Sequence, residues 1–424
     1  MAGYLQRVVD QELDDLLAEL PAITLDGPKG VGKTETAVRR ARTVLTLDDP
    51  GQRELLIADP GRLERAAPPV LVDEWQLHPP VWDLVRRGVD RGAEPGRFLL
   101  TGSASPIDAP THSGAGRIVR LRMRPMALAE RGVETPTVSL RALLSGARDS
   151  VEGTTNLGLE AYAEEIVSSG FPGIRQLSGR ARRAQLAGYL ERIVEHDFPE
   201  QGHLVRRPAT LRAWLAAYAA ATATTTSYNA ILDAATAGDS DKPAKTTTIA
   251  YRDILSQLWL LESVEAWLPT RKQLNRLGSA PKHHLADPAL AAALLGADTR
   301  ALLNNTVGKR PHVRDGVLLG QLFESLVTLD LQVYAQPAEA QVRHLRTKNG
   351  DHEVDLIVER PDRRVLGIEV KLAPVVTDAD VRHLHWLQSQ IGDELVDAAV
   401  IYTGPEAYRR QDGIAVIPAA LLGP

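Results

Sequence analysis

No cysteine occurs among the 424 residues, so the chain has no disulfide to staple it and no thiolate to hold a metal. Aromatic residues are scarce at 4%, although the 44% hydrophobic content is ordinary for a globular protein. Long apolar runs are missing too: none approaches the roughly 18 residues of a membrane span. Met1-Ala2-Gly3-Tyr4-Leu5-Gln6-Arg7 does not open a signal peptide. Neither sign of charge dominates, and a net charge of −5 gives no overall pull toward nucleic acid, so any such binding must come from local patches. These absences together predict a cytoplasmic protein with no membrane partner. The length allows two to four domains, each able to bury a core.

What is present begins with Gly27-Pro28-Lys29-Gly30-Val31-Gly32-Lys33-Thr34, the pattern G-x-x-x-x-G-K-T. It follows a short β-leaning run, Ala22-Ile23-Thr24-Leu25, and precedes a good helix opening, Glu35 to Ala41. In that context the glycines let backbone N–H groups close around phosphate oxygens. Lys33 then reaches the β and γ phosphates, and the Thr34 hydroxyl is a ligand for Mg²⁺. A chance match would give only a glycine-rich turn. The strand–loop–helix context predicts that the chain binds a nucleoside triphosphate, with ATP and Mg²⁺ as its cofactors.

Val70-Leu71-Val72-Asp73-Glu74, with Asp73 40 residues beyond Lys33, reads as a buried parallel strand delivering two acids to its carboxyl end. Asp73 is expected to hold Mg²⁺, and Glu74 to orient and polarise the attacking water. A further strand, Arg97-Phe98-Leu99-Leu100, ends in Thr101-Gly102-Ser103. Thr101 or Ser103 is then placed to sense the γ-phosphate, unless the segment is an ordinary turn. Downstream, Arg117 is the candidate arginine finger, a guanidinium that steadies charge on the transferring phosphoryl group. Its neighbours Arg120, Arg122 and Arg124 leave a solvated strand edge as the alternative.

The pattern changes along the chain. Residues 1–135 alternate strands and helices, as a parallel α/β sheet does. Residues 136–205 turn helical, with Leu186, Tyr189, Leu190, Ile193 and Val194 at helical spacing, and suit a lid or linker. Over 206–285 an Ala/Thr-rich stretch could pass for low complexity, but Tyr228, Ile231 and Leu232 argue for a small helical unit. A helix over 248–255 and a strand over 260–267 complete the outline of a winged helix, a unit that binds DNA or docks a protein partner. Arg271, Lys272, Arg276, Lys282 and His283 add a basic patch there.

Residues 286–424 carry a second constellation. Glu353 to Glu359 alternates as a strand, Arg360 to Arg363 turns it, and Val365 to Lys371 returns antiparallel. Asp355, Glu369 and Lys371 form D-x₁₃-E-x-K and share one sheet face. Two carboxylates and a lysine so placed suit Mg²⁺-dependent phosphodiester cleavage, the acids holding the metal and Lys371 serving as the water-positioning base. Glu324, on a helix over 318–331, is a further candidate ligand. The alternatives are a merely charged hairpin face, or a nuclease-like fold that no longer cuts.

Over nearly its whole length the chain resembles a family of prokaryotic AAA-type ATPases with a C-terminal domain of unknown function 4143. The matching residues are the P-loop, Val72-Asp73-Glu74-Trp75-Gln76, Leu100-Thr101-Gly102-Ser103, Gly116-Arg117, Ser169-Gly170-Phe171-Pro172, and Tyr189-Leu190 with Asp197. They continue with Asp287-Pro288-Ala289-Leu290, Gly320-Gln321-Leu322-Phe323-Glu324, Arg346-Thr347, Glu353-Val354-Asp355 and Glu369-Val370-Lys371. The resemblance implies an α/β protein with an AAA-type parallel-sheet domain, a helical and winged-helix middle, and a restriction-endonuclease-like end. Trp75-Gln76 departs from the acidic-aromatic pair expected after the second strand, and Gln76 becomes a candidate reader of the nucleotide state.

Three readings follow. The first is an ATPase whose nucleotide state regulates a DNA- or protein-binding C-terminal half, working as a homo-oligomer. The second is an ATP-gated, metal-dependent DNA nuclease. The third is a non-hydrolysing nucleotide switch that docks a protein partner. Glu74 weighs against the third, because a switch needs no water-polarising acid.

Overall fold

Short runs of branched aliphatic residues make five strands that lie side by side and all parallel: β1 (Ala22–Asp26), β2 (Thr43–Thr46), β3 (Val70–Asp73), β4 (Phe98–Gly102) and β5 (Val119–Arg122). The structure is a computed structural model describing residues 3–103, 116–203, 205, 207–236, 245–267, 280–304, 317–348 and 350–424. Strand order is β2-β3-β4-β1-β5. Every residue of β1, β3 and β4 is buried, whereas the edge strands β2 and β5 are partly exposed. That is what near-continuous apolar runs require of the central strands in a sheet covered on both faces. Helix α1 (Val8–Leu17) precedes β1, α2 (Lys33–Val38) follows it, and α3 (Pro80–Asp90) packs Val81, Trp82 and Val85 into the core. Gly88 of α3 sits so close to the Phe98 ring that a Cβ there would lie 3.0 Å from it.

By its internal contacts the chain divides into two compact units. One comprises Met1–Arg124, Asp197–His203 and Arg252–Leu260; the other comprises Pro125–His196, Leu204–Tyr251 and Leu261–Pro424. The first is built on the parallel sheet.

The second begins with two-residue strands β6 (Val138–Ser139) and β7 (Gly153–Thr154) and helices α4 (Leu159–Ser168), α5 (Gly179–Arg192), α6 (Pro208–Ala220) and α7 (Tyr228–Ala235). Helix α8 (Lys245–Gln257) belongs to this unit only as far as Tyr251; the unit resumes with an antiparallel pair, β8 (Leu261–Val264) with β9 (Lys282–Leu285), and helix α9 (Pro288–Leu294). The Ala/Thr-rich stretch is therefore ordered structure, with Ile231 and Leu232 buried and Thr222 bridged to His283.

A long helix, α10 (Val317–Ala335), leads into β10 (Gln341–Arg346), β11 (Glu353–Glu359) and β12 (Val365–Lys371), which are antiparallel neighbours. Helix α11 (Asp378–Ile391) then crosses over to β13 (Leu395–Tyr402), parallel to β12, as parallel neighbours require. Strands β14 (Glu406–Arg409) and β15 (Ala415–Pro418) complete a seven-stranded sheet in the order β10-β11-β12-β13-β15-β14-β7. The hairpin expected over 353–371 is thus present, with Ile357 opposite Gly367. Among the described residues no helix is long and apolar enough to cross a membrane.

Two motifs 118 residues apart meet at one buried carboxylate. Asp287 is fully buried and accepts the Ser169 hydroxyl at 2.5 Å, the Gly170 N–H at 2.8 Å and, as the cap of α9, the Ala289 N–H at 3.0 Å. Gly170 admits no side chain, since a Cβ would press on the backbone N and O of Met126 at 2.8 Å. Replacing Asp287 by alanine strands three buried donors at once. Asp287→Ala is expected to lower unfolding free energy by about 3 kcal/mol, and Asp287→Asn by less, since it keeps an acceptor. Denaturant melts of the two variants check this.

Candidate functional site

β1 lies between β4 and β5, although β4 follows it in sequence by more than seventy residues, so its carboxyl end opens at a switch point of the sheet. The segment 27–34 leaves that end and feeds directly into α2. Its conformation needs its glycines. Gly30 and Gly32 have φ of 83° and 105°, the left-handed region, and a Cβ on Gly27 would run into the Met123 carbonyl oxygen. Arg7 braces the loop, donating from Nη1 to the Val31 carbonyl at 2.8 Å and from Nη2 to the Arg124 carbonyl at 2.7 Å. No sequence signal marked Arg7.

Lys33 is 5% exposed, and its Nζ donates to the Gly27 and Pro28 carbonyls at 2.8 and 2.9 Å. Burial lowers its pKa to about 8, against the opposing charges of Glu74, Asp26 and Asp73. Asp26, at the end of β1, was also missed; burial pushes its carboxyl up. Lys29 turns its side chain away to Asp197 and Glu200, at 2.7 and 2.8 Å, leaving only its backbone for a phosphate. Asp197, quoted from the sequence beside Tyr189-Leu190, is therefore an ion-pair partner of the P-loop.

β3 ends beside this loop. The Thr34 hydroxyl donates to Asp73 Oδ1 at 2.8 Å, and the buried Thr101 hydroxyl donates to the same oxygen. Glu74 follows with φ 54°, a left-handed backbone rare for a non-glycine residue, which turns its carboxylate out of the strand line. That carboxylate accepts the Ser103 hydroxyl at 3.1 Å and the Gln76 side-chain N–H. The two acids are thus held separately, Asp73 by threonines and Glu74 by Ser103 and Gln76. Thr101 and Ser103 position the acids in this state.

Thr34 and Asp73 side by side suit a magnesium ion. Among the described residues no three His, Asp or Glu side chains are grouped so as to hold a metal ion by themselves, so an ion here would take its remaining ligands from phosphate and water, as Mg²⁺ does.

Arg117 lies elsewhere. Val119 pairs with Ile23 and Arg122 with Asp26, so Arg117 falls at the amino end of the sheet, about 17 Å along the strands from the P-loop. Its Nε donates to Asp90 at the end of α3 at 2.8 Å. Ser113 to Ala115 before it lie outside the described residues.

The C-terminal constellation does come together. Asp355, Glu369 and Lys371 meet on one face, with Lys371 Nζ 2.5 Å from Glu369 and 3.6 Å from Asp355. Asp355 Oδ2 also accepts the Val370 N–H at 2.9 Å. Glu324 arrives from α10. Between Glu324 and Asp355 stands Lys282, 1% exposed, at 2.8 Å from the first and 3.4 Å from the second. Lys282 and His283 therefore do not form the surface basic patch expected of them. Both are buried, His283 against Tyr218 and Tyr228, while Arg271, Lys272 and Arg276 lie outside the described residues.

A P-loop running from strand to helix, acids at the end of β3, and a parallel sheet in this order define a P-loop nucleotide-binding domain. The family profile of the AAA domain matches residues 19–131, and that of domain of unknown function 4143 matches residues 319–422. The chain thus carries matches to both domains that the resemblance to this AAA-type ATPase family implies, in the expected order. A further profile, domain of unknown function 8612, matches residues 159–301. Two uncharacterized proteins, of Mycobacterium bovis and Mycobacterium tuberculosis, are each 25% identical over 414 residues, 95% of this chain and 81% of the relative. A Walker-type ATPase of Pyrococcus abyssi covers 67% of this chain and 94% of itself at 16% identity, with a TM-score of 0.38. The Aeropyrum pernix ORC2 protein in ADPNP and ADP complexes covers 72% of this chain and 98% of itself at 15% identity, with a TM-score of 0.29.

Because the Lys33 pKa is depressed to about 8, a triphosphate settling beside it favours the protonated amine and raises that pKa. Triphosphate binding at pH 8 should then take up about half a proton, and affinity should fall as pH rises beyond 8. Calorimetry in buffers of different ionisation enthalpy measures the uptake, and Lys33→Arg should remove it.

Proposed function

We propose that this protein is a Mg²⁺-dependent ATPase whose nucleotide state governs a DNA- or protein-binding C-terminal half. The observation that carries the reading is the pairing of Thr34 with Asp73 at the loop mouth, with Glu74 next in sequence and separately held. Lys33 exchanges its two backbone carbonyls for β- and γ-phosphate oxygens, and the loop N–H groups bind the rest. Thr34 and Asp73 would hold Mg²⁺, which would neutralise charge on those oxygens. Glu74 orients the attacking water and accepts its proton, which requires its carboxylate to loosen from Ser103 or Gln76. Gln76 is thereby the residue through which the site reports whether Glu74 is engaged. Arg117, at the far end of its own sheet, serves the site of a neighbouring copy in a homo-oligomer.

For the remainder, three helices followed by the β8–β9 hairpin support a winged-helix reading of residues 206–285. The order α10-β10-β11-β12-α11-β13 supports a restriction-endonuclease-like reading of the end of the chain. Neither nuclease chemistry nor a non-hydrolysing switch is favoured: two of the acids meant for a metal, Glu324 and Asp355, already contact Lys282, and Glu74 has no task in a switch.

Lys33→Ala should abolish nucleotide binding. Glu74→Gln should bind ATP as tightly as the parent and turn it over at least about a hundredfold more slowly. Parental turnover in Glu74→Gln would remove Glu74 from the reaction.

Hydrolysis per chain should also rise with protein concentration, and Arg117→Ala should abolish the rise without weakening ATP binding. Rates and sedimentation measured over the same concentration range test this. A concentration-independent rate in a monomer would make Arg117 structural, since its own P-loop is out of reach.

A further inference from the structure

Four carboxylates crowd one face of the β11–β12 hairpin and the neighbouring turn of α10: Glu324, Glu353, Asp355 and Glu369. Acids gathered this way repel one another, and burial makes the repulsion worse. Something positive has to stand among them. In this fold it is an amine. Lys282 Nζ lies 2.8 Å from Glu324, 3.2 Å from Glu353 and 3.4 Å from Asp355, and also reaches the Asp355 carbonyl at 3.4 Å.

The amine is nearly sealed from water at 1% exposure, and it comes from a different part of the chain, strand β9. That strand is itself anchored. Lys282 pairs with Val264 across the hairpin, and the segment after β8 is stitched to β10 by the Trp267 N–H on the His344 carbonyl, at 2.6 Å, and the His344 N–H on the Glu265 carbonyl, at 3.1 Å.

We infer that Lys282 is the resident cation of this cluster, occupying by its ammonium group the place a divalent metal would take, so that the C-terminal domain needs no metal and offers none to a substrate. The oxygens left over agree with this. Asp355 has one oxygen on Lys282 and the other on the Val370 N–H, with Lys371 3.6 Å away. Glu324 has its Oε1 on Lys282, and Glu369 has its Oε2 on Lys371. Of the oxygens of these four acids, only Glu369 Oε1 is buried without a hydrogen-bond partner, and one such oxygen is not a metal site.

The charges respond accordingly. Burial alone would lower the Lys282 pKa, but Glu324, Asp355 and Glu353 outweigh it and hold the amine charged. Burial, with Asp355 alongside, raises Glu369 to about 8, which favours a neutral carboxyl there. Lys282 lies in the segment matched by the 8612 profile and the acids Glu324, Glu353, Asp355 and Glu369 in that matched by the 4143 profile. The cation therefore joins two modules of the chain, a role that a free ion from solution would not fill.

The test uses the full-length protein without nucleotide and Mn²⁺ as the probe, its binding followed by the electron paramagnetic resonance of the free ion. Wild type and Asp355→Asn should bind Mn²⁺ alike, because no ion depends on Asp355. Lys282→Met empties the cage. It should gain one Mn²⁺ per chain, at least about tenfold tighter than any binding by wild type, and lose it again when Asp355→Asn is added. If Lys282→Met does not fold, Lys282→Gln keeps a donor without the charge and serves in its place. Mn²⁺ bound by wild type and lost in Asp355→Asn would overturn the inference. So would a folded Lys282→Met or Lys282→Gln protein that gains no Mn²⁺.

Discussion

Lys33 and Lys282 are both almost entirely out of water, and an ammonium group in that position has to be met by oxygen atoms. The chain meets them in two ways. Lys33 is given backbone carbonyls of its own loop, neutral partners that a phosphate can displace. Lys282 is given full carboxylates, which an incoming ligand displaces only with difficulty. The first arrangement leaves a depressed pKa and a site ready to exchange partners. The second leaves a raised pKa and a site that is already satisfied. Most of what distinguishes the two units chemically follows from that difference.

The parallel sheet supplies the geometry for the exchangeable site. Apart from Thr24, whose hydroxyl donates to Asp26, the polar residues of its three central strands come at their carboxyl ends. Asp26, Asp73 and Thr101 are those residues, and β1, β3 and β4 are in register, bringing all three to one edge. The same register carries Arg117 to the opposite end. A finger at that end is useful only to another copy, which makes assembly part of the proposed chemistry rather than an addition to it.

In the second unit buried carboxylates work as junctions. Asp287 gathers two motifs separated by 118 residues, and Asp330 of α10 accepts the Leu128 N–H at 2.9 Å across an even longer separation. With Asp355 and Glu324 on Lys282, these junctions account for three of the acids in the motifs quoted from the sequence, Asp287, Glu324 and Asp355. Several of them fix tertiary position and take no part in the nucleotide chemistry.

The sequence by itself determined the P-loop, the strand bearing Asp73 and Glu74, the strand ending at Thr101, and the 353–371 hairpin with its acids and lysine on one face. Each is a local matter: glycine conformations, apolar runs and the two-residue period of a strand act within about twenty residues. Tertiary structure alone decided the rest. That Lys29 belongs to Asp197 and Glu200, that Arg7 braces the loop, that Thr101 and Ser103 hold acids, and that Arg117 sits at the wrong end for its own site are facts of strand order. The largest change concerned Lys282. Read in sequence it belongs to a run of exposed basic residues, because a lysine carries no mark of the partners it will meet. Only the packing of β9 against α10 and β11 brought carboxylates from 42, 71 and 73 residues away around one amine, and turned a candidate surface contact into a buried cation.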